Sequence, residues 1–466
     1  MDSLINLIYL AAAVLFIFGI KGMTHPRTAR RGNLMSAVGM LLAIVVTLLD
    51  KQIVSFEYIV AGLVIGSAIG ALLALKIQMT AMPQMVALFN GFGGGGSLLV
   101  AGLEFMRAVK GGSAGEAAVG LQMSVATVLA GFIGTITLIG SLVAFGKLQG
   151  LISDKWGSLP GIGPANIVLG LGVLGLGAAQ VLHTDTVLYY WLLVAVSVLM
   201  GVTLVIKIGG ADMPVAISLL NSYSGLAAAA AGFVITNNVL IISGALVGAS
   251  GLILTNIMCK AMNRSLMNVL TGGLSGAGAK APTADEVYGG KIKSVTAEEI
   301  AMMLDGIQRF VVVPGYGMAV AQAQHAVRDL ANLLEQRGVE VEYAIHPVAG
   351  RMPGHMNVLL AEADVPYEKL KTMEEINPTM PQVDIAFVIG ANDVVNPDAR
   401  KPDSPIAGMP IIDVDLARTV IVNKRSLSPG YAGIPNPLFA RDNCLMYFAD
   451  GKKAVLDIIN ALKELD

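Results

Sequence analysis

Nine apolar runs, each 16 to 25 residues long, occupy the first 260 residues of this 466-residue chain. About 20 apolar residues in a helix are long enough to cross the roughly 30 Å hydrocarbon core of a bilayer. The chain is 55% hydrophobic and only 14% charged, which is too little polar surface for an ordinary soluble protein of this length. The sequence therefore predicts a polytopic α-helical membrane domain with about nine transmembrane helices. The predicted spans are Ser3–Ile20, Leu34–Leu49, Tyr58–Leu75, Pro83–Leu103, Leu121–Phe145, Pro164–Leu182, Val187–Ile206, Pro214–Ile235 and Val239–Met258.

Charged residues are concentrated in the C-terminal part of the chain. Residues 1–263 hold 20 of the 64 charges, which leaves 44 for the remaining 203 residues. A segment rich in small residues follows the last apolar run, and a pattern of short apolar strands begins at about Thr296. We therefore predict three parts: a transmembrane domain (1–263), a linker (264–295) and a domain outside the membrane (296–466).

The distribution of Lys and Arg between the loops predicts the orientation in the membrane. If the N-terminus lies outside, the inner loops hold ten Lys and Arg residues and the outer loops hold three. Because basic loops stay on the cytoplasmic side, the N-terminus is expected in the periplasm and the C-terminal domain in the cytoplasm. The first apolar run begins Met1-Asp2 without a basic region before it, so a retained helix is predicted rather than a cleaved signal.

Several classes of site are disfavoured by composition. Two cysteines, Cys259 and Cys444, cannot supply an iron–sulfur cluster or a thiolate zinc site. The five histidines show no metal-ligand spacing, so no metal is expected. A net charge of −2 gives no reason to expect a nucleic-acid partner.

A pattern in the membrane part recurs 131 positions later. Lys, Met, Pro, Asn and Gly at matched positions link Lys76–Gly94 to Lys207–Gly225, which indicates duplicated units. Asn90 and Asn221 are equivalent, and each lies seven residues after a proline that suits a helix start. That places each amide roughly 10 Å into its helix. The two asparagines could face a polar path, or they could form an interhelical hydrogen bond that only fixes packing.

The C-terminal part alternates strand and helix patterns. This alternation predicts an α/β Rossmann-like domain with a doubly wound parallel sheet. Helices are predicted at Met318–Gln336 and Lys452–Leu465. Strands are predicted at Arg309–Val313, Glu340–Ile345, Val383–Ile389, Met409–Val414, Val420–Asn423 and Cys444–Phe448.

The first predicted strand runs into Gly315-Tyr316-Gly317 and then a predicted long helix. Such a turn lets backbone approach a phosphate and directs a helix N-terminus towards it. The third glycine of the usual fingerprint is absent, so a tight turn without a ligand is the alternative. After the second strand the chain has Gly350 and Arg351 instead of the acidic residue that binds an NAD ribose, which permits a 2′-phosphate.

Two further strand ends carry candidate ligand-binding residues. Gly390-Ala391-Asn392-Asp393 follows the third strand, and ligands of parallel sheets bind at this edge. Lys424-Arg425-Ser426 follows the fifth strand and offers two cations and a hydroxyl to a phosphate monoester. A solvated basic pair is the alternative interpretation of the second motif.

Five stretches together resemble the beta subunit family of proton-translocating NAD(P)+ transhydrogenases, and the resemblance covers essentially the whole chain. They are Gly315–Gly317, His346–His355, Gly390–Asp393, Lys424–Tyr431 and Ala211–Gly225. The resemblance implies that residues 1–263 conduct protons and that residues 296–466 bind NADP(H). It also implies a nucleotide lying reversed on the sheet, which puts the usual pyrophosphate role of the glycine turn in doubt.

The resemblance assigns the site residue by residue. Lys424, Arg425 and Ser426 are expected to hold the 2′-phosphate, Asp393 to act beside the nicotinamide, and Asn90, Asp212 and Asn221 to lie on the proton path. The residues implied to line the NADP(H) site are Gly315, Tyr316, Gly317, Val348, Ala349, Gly350, Arg351, Met352, Pro353, Gly390, Ala391, Asn392, Asp393, Val394, Gly408, Met409, Lys424, Arg425, Ser426, Leu427, Ser428, Pro429, Gly430, Tyr431, Asp450 and Gly451.

The implied activity is reversible hydride transfer between NAD(H) and NADP(H), coupled to proton translocation across a bacterial inner membrane. NAD(H) is expected on a partner alpha subunit, because hydride transfer needs two nucleotide sites and this chain has one dinucleotide fold. Many relatives carry histidine where this chain has Asn90, so the resemblance implies an alpha subunit split into a soluble chain and a small membrane chain, in a dimer of heteromers. An ion transporter with a redox-sensing nucleotide domain is the main alternative. A quinone-linked dehydrogenase is disfavoured, because it needs flavin or iron–sulfur relays.

Overall fold

The computed structural model describes residues 2–23, 26–49, 56–111, 120–153, 156–157, 161–271, 287–430 and 432–465. The chain divides into two compact units. One comprises Met1–Ile208 and Ala216–Leu254, and the other comprises Gly209–Val215 and Thr255–Asp466. Part of the predicted linker, residues 272–286, lies outside the described residues.

Long α-helices form at all nine predicted apolar spans within the described part of residues 2–261. Eight of them are long and apolar enough to cross a membrane, and the first contributes the shorter apolar stretch Leu7–Met23. The prediction of a polytopic helical membrane domain is therefore confirmed. The helices are α1 (Asp2–Met23), α2 (Pro26–Leu49), α3 (Phe56–Lys76), α4 (Met82–Gly111), α5 (Leu121–Leu148), α6 (Ile162–Leu182), α7 (Val187–Ile206), α8 (Met213–Val234) and α9 (Asn238–Ala261).

Glycines bring the backbones of α4 and α5 into contact. A Cβ added at Gly94 would lie 2.7 Å from the carbonyl oxygen of Gly134, and a Cβ at Gly134 would lie 2.6 Å from that of Gly94. The buried ring of Tyr190, from α7, lies against Gly102 and Gly131, where an added Cβ would come within 2.6 Å of it. Small residues at helix interfaces allow this close packing in membranes, so these glycines have a packing role.

The internal repeat is visible in the local structure of both copies. A short 3₁₀ turn precedes each helix, Met79–Ala81 before α4 and Gly210–Asp212 before α8. Each helix then begins at methionine and has proline as its second residue, where the missing N–H leaves no hydrogen bond unmade. The two copies therefore share a turn-to-helix geometry as well as a residue pattern.

The second unit contains a six-stranded parallel sheet of order β3-β2-β1-β4-β5-β6. Strand order reverses between β1 and β4, as expected for a doubly wound sheet, so that prediction is confirmed. The central strands β1 and β4 are buried along almost their whole length, which explains their continuous apolar runs. The strands are β1 (Arg309–Pro314), β2 (Glu340–Ala344), β3 (Leu370–Lys371), β4 (Ile385–Ile389), β5 (Thr419–Lys424) and β6 (Cys444–Phe448).

The strand predicted at Met409–Val414 is wrong, because residues 409–413 are irregular and Val414 begins a 3₁₀ turn. Pro410 has no N–H for a sheet ladder, and its carbonyl accepts a hydrogen bond from the ring of His346 at 2.8 Å. The carbonyl of Ile411 accepts a hydrogen bond from the side chain of Asn377 at 2.9 Å. Side chains thus satisfy the backbone groups that a neighbouring strand would otherwise pair. The short strand β3 was not predicted.

The long helix predicted at Met318–Gln336 is two helices. The chain turns at Gln322, which has a positive φ of 50°, and the first helix is only five residues long. The predicted long helix directed at a phosphate is therefore wrong for this turn. The helices after α9 are α10 (Leu266–Leu270), α11 (Ala297–Leu304), α12 (Tyr316–Val320), α13 (Gln324–Gln336), α14 (His355–Glu362), α15 (Met373–Ile376) and α16 (Gly451–Glu464).

Candidate functional site

The loops after β1 and β4 pack directly on each other where the strand order reverses. The N–H of Gly317 donates to the carbonyl of Gly390 at 2.9 Å. A Cβ at Gly315 would lie 2.5 Å from the Cα of Ala391, and one at Gly317 would lie 2.6 Å from the Cα of Gly390. The close packing of the two loops therefore requires glycine at positions 315 and 317. This requirement does not depend on the phosphate role that the sequence suggested for the turn.

A cavity of about 540 Å³ opens beside these loops, within the usual size of a cofactor site. Arg351, Met352, Pro353, Gly408 and Leu427 do not line it, and Tyr431 lies outside the described residues. The predicted residues that line the cavity are Gly315, Tyr316, Gly317, Val348, Ala349, Gly350, Gly390, Ala391, Asn392, Asp393, Val394, Met409, Lys424, Arg425, Ser426, Ser428, Pro429, Gly430, Asp450 and Gly451.

The last residue of β5 and the segment after it, residues 424–430, fold back at the cavity edge and form what we call the lid. Lys424 Nζ donates to the carbonyl of Ser428 at 2.9 Å, and the hydroxyls of Ser426 and Ser428 lie 2.9 Å apart. Arg425 and Ser426 are exposed, whereas Lys424 is half-buried. Lys424 therefore shapes the lid, and Arg425 presents its charge to the solvent side of the cavity.

Asp393 holds the far end of the lid. Its Oδ2 accepts the N–H of Ala432 at 3.0 Å, and a Cβ at Gly430 would lie 2.5 Å from its Oδ1. Burial lowers the pKa of Lys424 to about 8, and the negative charge of Asp393 opposes that shift. Lys424 and Asp393 thus interact electrostatically at the cavity wall, with the lysine near its titration midpoint at mildly alkaline pH.

Two buried histidines shape the loop after β2. His346 Nδ1 accepts the N–H of Val348 at 3.2 Å, and His355 Nδ1 accepts the N–H of Arg351 at 3.1 Å. Burial lowers the pKa of each imidazole to about 4, so both are neutral at pH 7. Arg351 does not line the cavity, and its guanidinium lies over the ring of Tyr316, 4.4 Å from its centroid.

Two side chains fix the backbone between β5, β6 and α16. Asp450 caps α16, since its Oδ1 accepts the N–H of Lys452 at 3.2 Å. Asn423 is buried at the end of β5 and donates to the carbonyls of Tyr447 and Ala449 at 3.1 and 3.2 Å. Both side chains therefore hold this edge of the cavity in place, because they form hydrogen bonds to the backbone of residues 447–452.

Several lining residues were not predicted from the sequence. Asn423 directly precedes the predicted Lys424, so its position at a strand end was a usable signal. The segment after α9 carried no such signal, because nothing local shows that it reaches the cavity. The unpredicted lining residues are Met262, Asn263, Arg264, Asn268, Val320, Ala321, Pro405, Ile406, Ala407, Asn423, Ala432 and Ala449.

Asn90 forms an interhelical hydrogen bond. Its buried Nδ2 donates to the carbonyl of Ile217 in α8 at 3.3 Å. Ile217 lies one helical turn before Asn221, which is half-buried, so the two asparagines lie near the same level of α8. Asn90 therefore contacts α8, the helix that carries Asn221, and it does so through the backbone carbonyl of Ile217.

Asp212, at the end of the turn before α8, is bound by Arg264. The guanidinium donates to both carboxylate oxygens, at 2.9 and 2.8 Å. Burial raises the pKa of Asp212, and the positive charge and hydrogen bonds of Arg264 oppose that shift. The pair is therefore a shielded ion pair at the start of a predicted transmembrane helix.

Known proteins of one family are similar to this chain over almost its whole length. A family model described as "NAD(P) transhydrogenase beta subunit" matches residues 5–461. The chain is 49% identical over 466 residues to the protein of Rhodospirillum rubrum named NAD(P) transhydrogenase subunit beta, covering 99% of both chains. The protein of the same name from a specified strain of that organism gives the same figures.

Proposed function

The chain belongs to the family of NAD(P) transhydrogenase beta subunits, and we propose that it binds NADP(H) and couples hydride exchange with NAD(H) to proton translocation. The observation that carries the proposal is the cavity at the point where strand order reverses, closed by a lid bearing Lys424 and Arg425. Doubly wound sheets bind dinucleotides at this position.

The charge around the cavity fits a nucleotide with a 2′-phosphate. Arg425 and Ser426 are exposed on the lid and line the cavity, so a phosphate can reach both. Arginine binds phosphate through planar, paired hydrogen bonds, and it stays charged at all accessible pH values. We therefore propose that these two residues and Lys424 select NADP(H) over NAD(H).

The two nicotinamides supply the hydride chemistry when both nucleotides are bound. The residues of this chain hold one of them, and they exclude water from its reacting face. Gly430, at the end of the lid, packs against the carboxylate of Asp393, which also accepts the N–H of Ala432 just beyond the lid. We assign to Asp393 a role in positioning the lid beside the nicotinamide.

The second nucleotide requires a partner. The described residues hold one parallel-sheet domain, and hydride exchange needs two nucleotide sites in contact. We therefore place NAD(H) on an alpha subunit and expect that subunit to be split into a soluble chain and a small membrane chain, in a dimer of heteromers. The proposed location is a bacterial inner membrane, with a periplasmic N-terminus and a cytoplasmic C-terminal domain.

The proposed proton path includes Asn90, Asn221 and Asp212. A carboxamide does not titrate, so the two asparagines can orient water or a partner's imidazole but cannot carry the proton as acids. This agrees with placing a titrating histidine on the membrane partner. Asp212 then lies at the end of the path, where Arg264 holds its charge.

Co-purification with its alpha subunits and reconstitution into vesicles tests the proposal. We expect reduction of an NADP+ analogue by NADH, accompanied by a change in the internal pH. A vesicle that moves protons without hydride exchange would instead support the ion transporter with a redox-sensing domain. Hydride exchange that leaves the internal pH unchanged would contradict the coupling.

A further inference from the structure

Asn263 connects the segment after α9 to a loop of the cavity wall within the second unit. Its Nδ2 donates to the carbonyl of Ala407 at 2.7 Å. The neighbouring Gly408 has a φ of +71°, and a Cβ at that position would collide with the Asn263 carboxamide. The Asn263 side chain therefore contacts the loop at two residues. It forms a hydrogen bond with Ala407, and it leaves no space for a side chain at residue 408.

The backbone around Asn263 is suited to this contact. Asn263 has a φ of 48°, a left-handed conformation that Asn adopts at lower cost than most residues. Arg264 is fixed next to it by two hydrogen bonds to Asp212. The ion pair of Arg264 therefore holds the backbone next to Asn263.

The contact lies at the cavity. Met262, Asn263 and Arg264 line it from one segment, and residues 405–407 with Met409 line it from the other. A contact that holds these two segments together therefore also limits how wide the cavity between them can open. The side chain of Asn263 joins the two segments through its hydrogen bond to Ala407.

We propose that Asn263 is a positioning residue that holds the 405–409 loop against the bound nucleotide and thereby slows NADP(H) release. The inference rests on the proposed function, because it takes the cavity to be the NADP(H) site. A neutral hydrogen bond of this kind corresponds to about three- to tenfold in an equilibrium constant. We expect the effect in the release rate and in the KM for NADP+, since residues 405–407 and Met409 line this cavity.

Two variants of Asn263 separate the hydrogen bond from the backbone conformation. Asn263→Asp keeps the shape and tolerates the positive φ, but it replaces the donor by an oxygen that faces the Ala407 carbonyl. Asn263→Gly removes the side chain and also accepts the positive φ. The control is Asn443→Asp, which removes amide-to-carbonyl bonds of 2.9 Å to Ala417 and 3.3 Å to Asp415, at a residue that does not line the cavity.

The experiment uses the full-length chain with its alpha subunits in lipid nanodiscs, with NADPH release followed by stopped-flow fluorescence. Both Asn263 variants should release NADPH about three- to tenfold faster and raise the KM for NADP+, with the KM for NADH unchanged. Asn443→Asp should release NADPH at the wild-type rate. Wild-type release and KM values in both Asn263 variants would overturn the inference.

A variant of Gly408 provides an independent check of the contact between Asn263 and the loop. Gly408→Ala adds a Cβ that pushes against the Asn263 carboxamide, so this variant should also release NADPH faster. Combining it with Asn263→Gly removes the collision but keeps the strain of an alanine at a positive φ, so the double variant should release NADPH more slowly than the two single effects combined would give. Additive effects would refute direct contact. If the wild-type chain itself binds NAD(H) as well as NADP(H), the proposed function fails rather than this inference.

Discussion

Lys424 should make NADP(H) affinity fall as the pH rises above 8. Burial lowers the pKa of its ammonium to about 8 in the free protein. The lysine is charged below that pH and neutral above it, whereas the 2′-phosphate, with a second pKa near 6, stays fully charged. Attraction between the two is therefore complete at pH 7 and decreases through the alkaline range.

The magnitude follows from linkage between binding and protonation. A charge-assisted hydrogen bond to phosphate stabilises the complex by about 1.5 to 3 kcal/mol, or about ten- to 150-fold in affinity. The bound nucleotide then raises the pKa of Lys424 by about one to two units. Affinity should fall by at most tenfold per pH unit, beginning near pH 8.

Calorimetric titration of NADP+ into the full-length chain between pH 7 and 9.5 measures the effect. Lys424→Arg stays charged and should show nearly constant affinity over this range, and Lys424→Met should be weak and constant throughout. Asp393→Asn removes the charge that supports the ammonium, so the onset of the fall should move below pH 8. Wild-type affinity that is flat from pH 7 to 9.5 would refute the reasoning.

Three further variants test separate parts of the account. Arg425→Ala should weaken NADP+ binding by about 1.5 to 3 kcal/mol and leave NAD+ binding nearly unchanged, and an equal calorimetric loss for both nucleotides would contradict the 2′-phosphate role. Asp393→Asn should lower turnover by about tenfold or more with the melting temperature retained, and near-normal reverse transhydrogenation would contradict this. Asn90→Leu should remove proton-coupled turnover while Asn90→His retains part of it, and pumping at the wild-type rate by Asn90→Leu would show that the residue only packs.

Much of the fold follows from the residue pattern because periodicity and burial agree there. The apolar runs of α7 and β6 end where the sequence predicts, at residues 187–206 and 444–448. Long uninterrupted apolar stretches have few alternatives in a bilayer, where every backbone group must be bonded within the segment. The central strands are similarly constrained, since both faces of the sheet are covered.

The wrong assignments occur where single residues override a pattern. Met409–Val414 is apolar and strand-like in composition, but Pro410 lacks the donor that a ladder needs, and distant side chains bind the carbonyls of Pro410 and Ile411. The break at Gln322 depends on a positive φ in a residue that gives no sign of it in the sequence. The first feature depends on contacts between residues distant in the sequence, which local propensity does not report.

The candidate site shows the same division. Residues of the motifs predicted at strand ends line one cavity, because parallel strands bring their carboxyl ends to one edge of the sheet. Asn263 was not predicted, because its partner Ala407 lies 144 positions away and no periodicity links them. Gly408 was assigned to the site by resemblance, and the structure places it against Asn263 instead of on the cavity surface.

Coupling between hydride exchange and proton movement is the central claim, and the response of reconstituted vesicles to an imposed pH gradient tests it most directly. A gradient that drives protons from the periplasmic to the cytoplasmic face should accelerate NADPH formation from NADH. Asn221→Leu should abolish the acceleration while calorimetry shows that NADP+ still binds. A rate of NADPH formation that is independent of the gradient in the wild-type enzyme, or equal acceleration in the Asn221→Leu variant, would contradict the account.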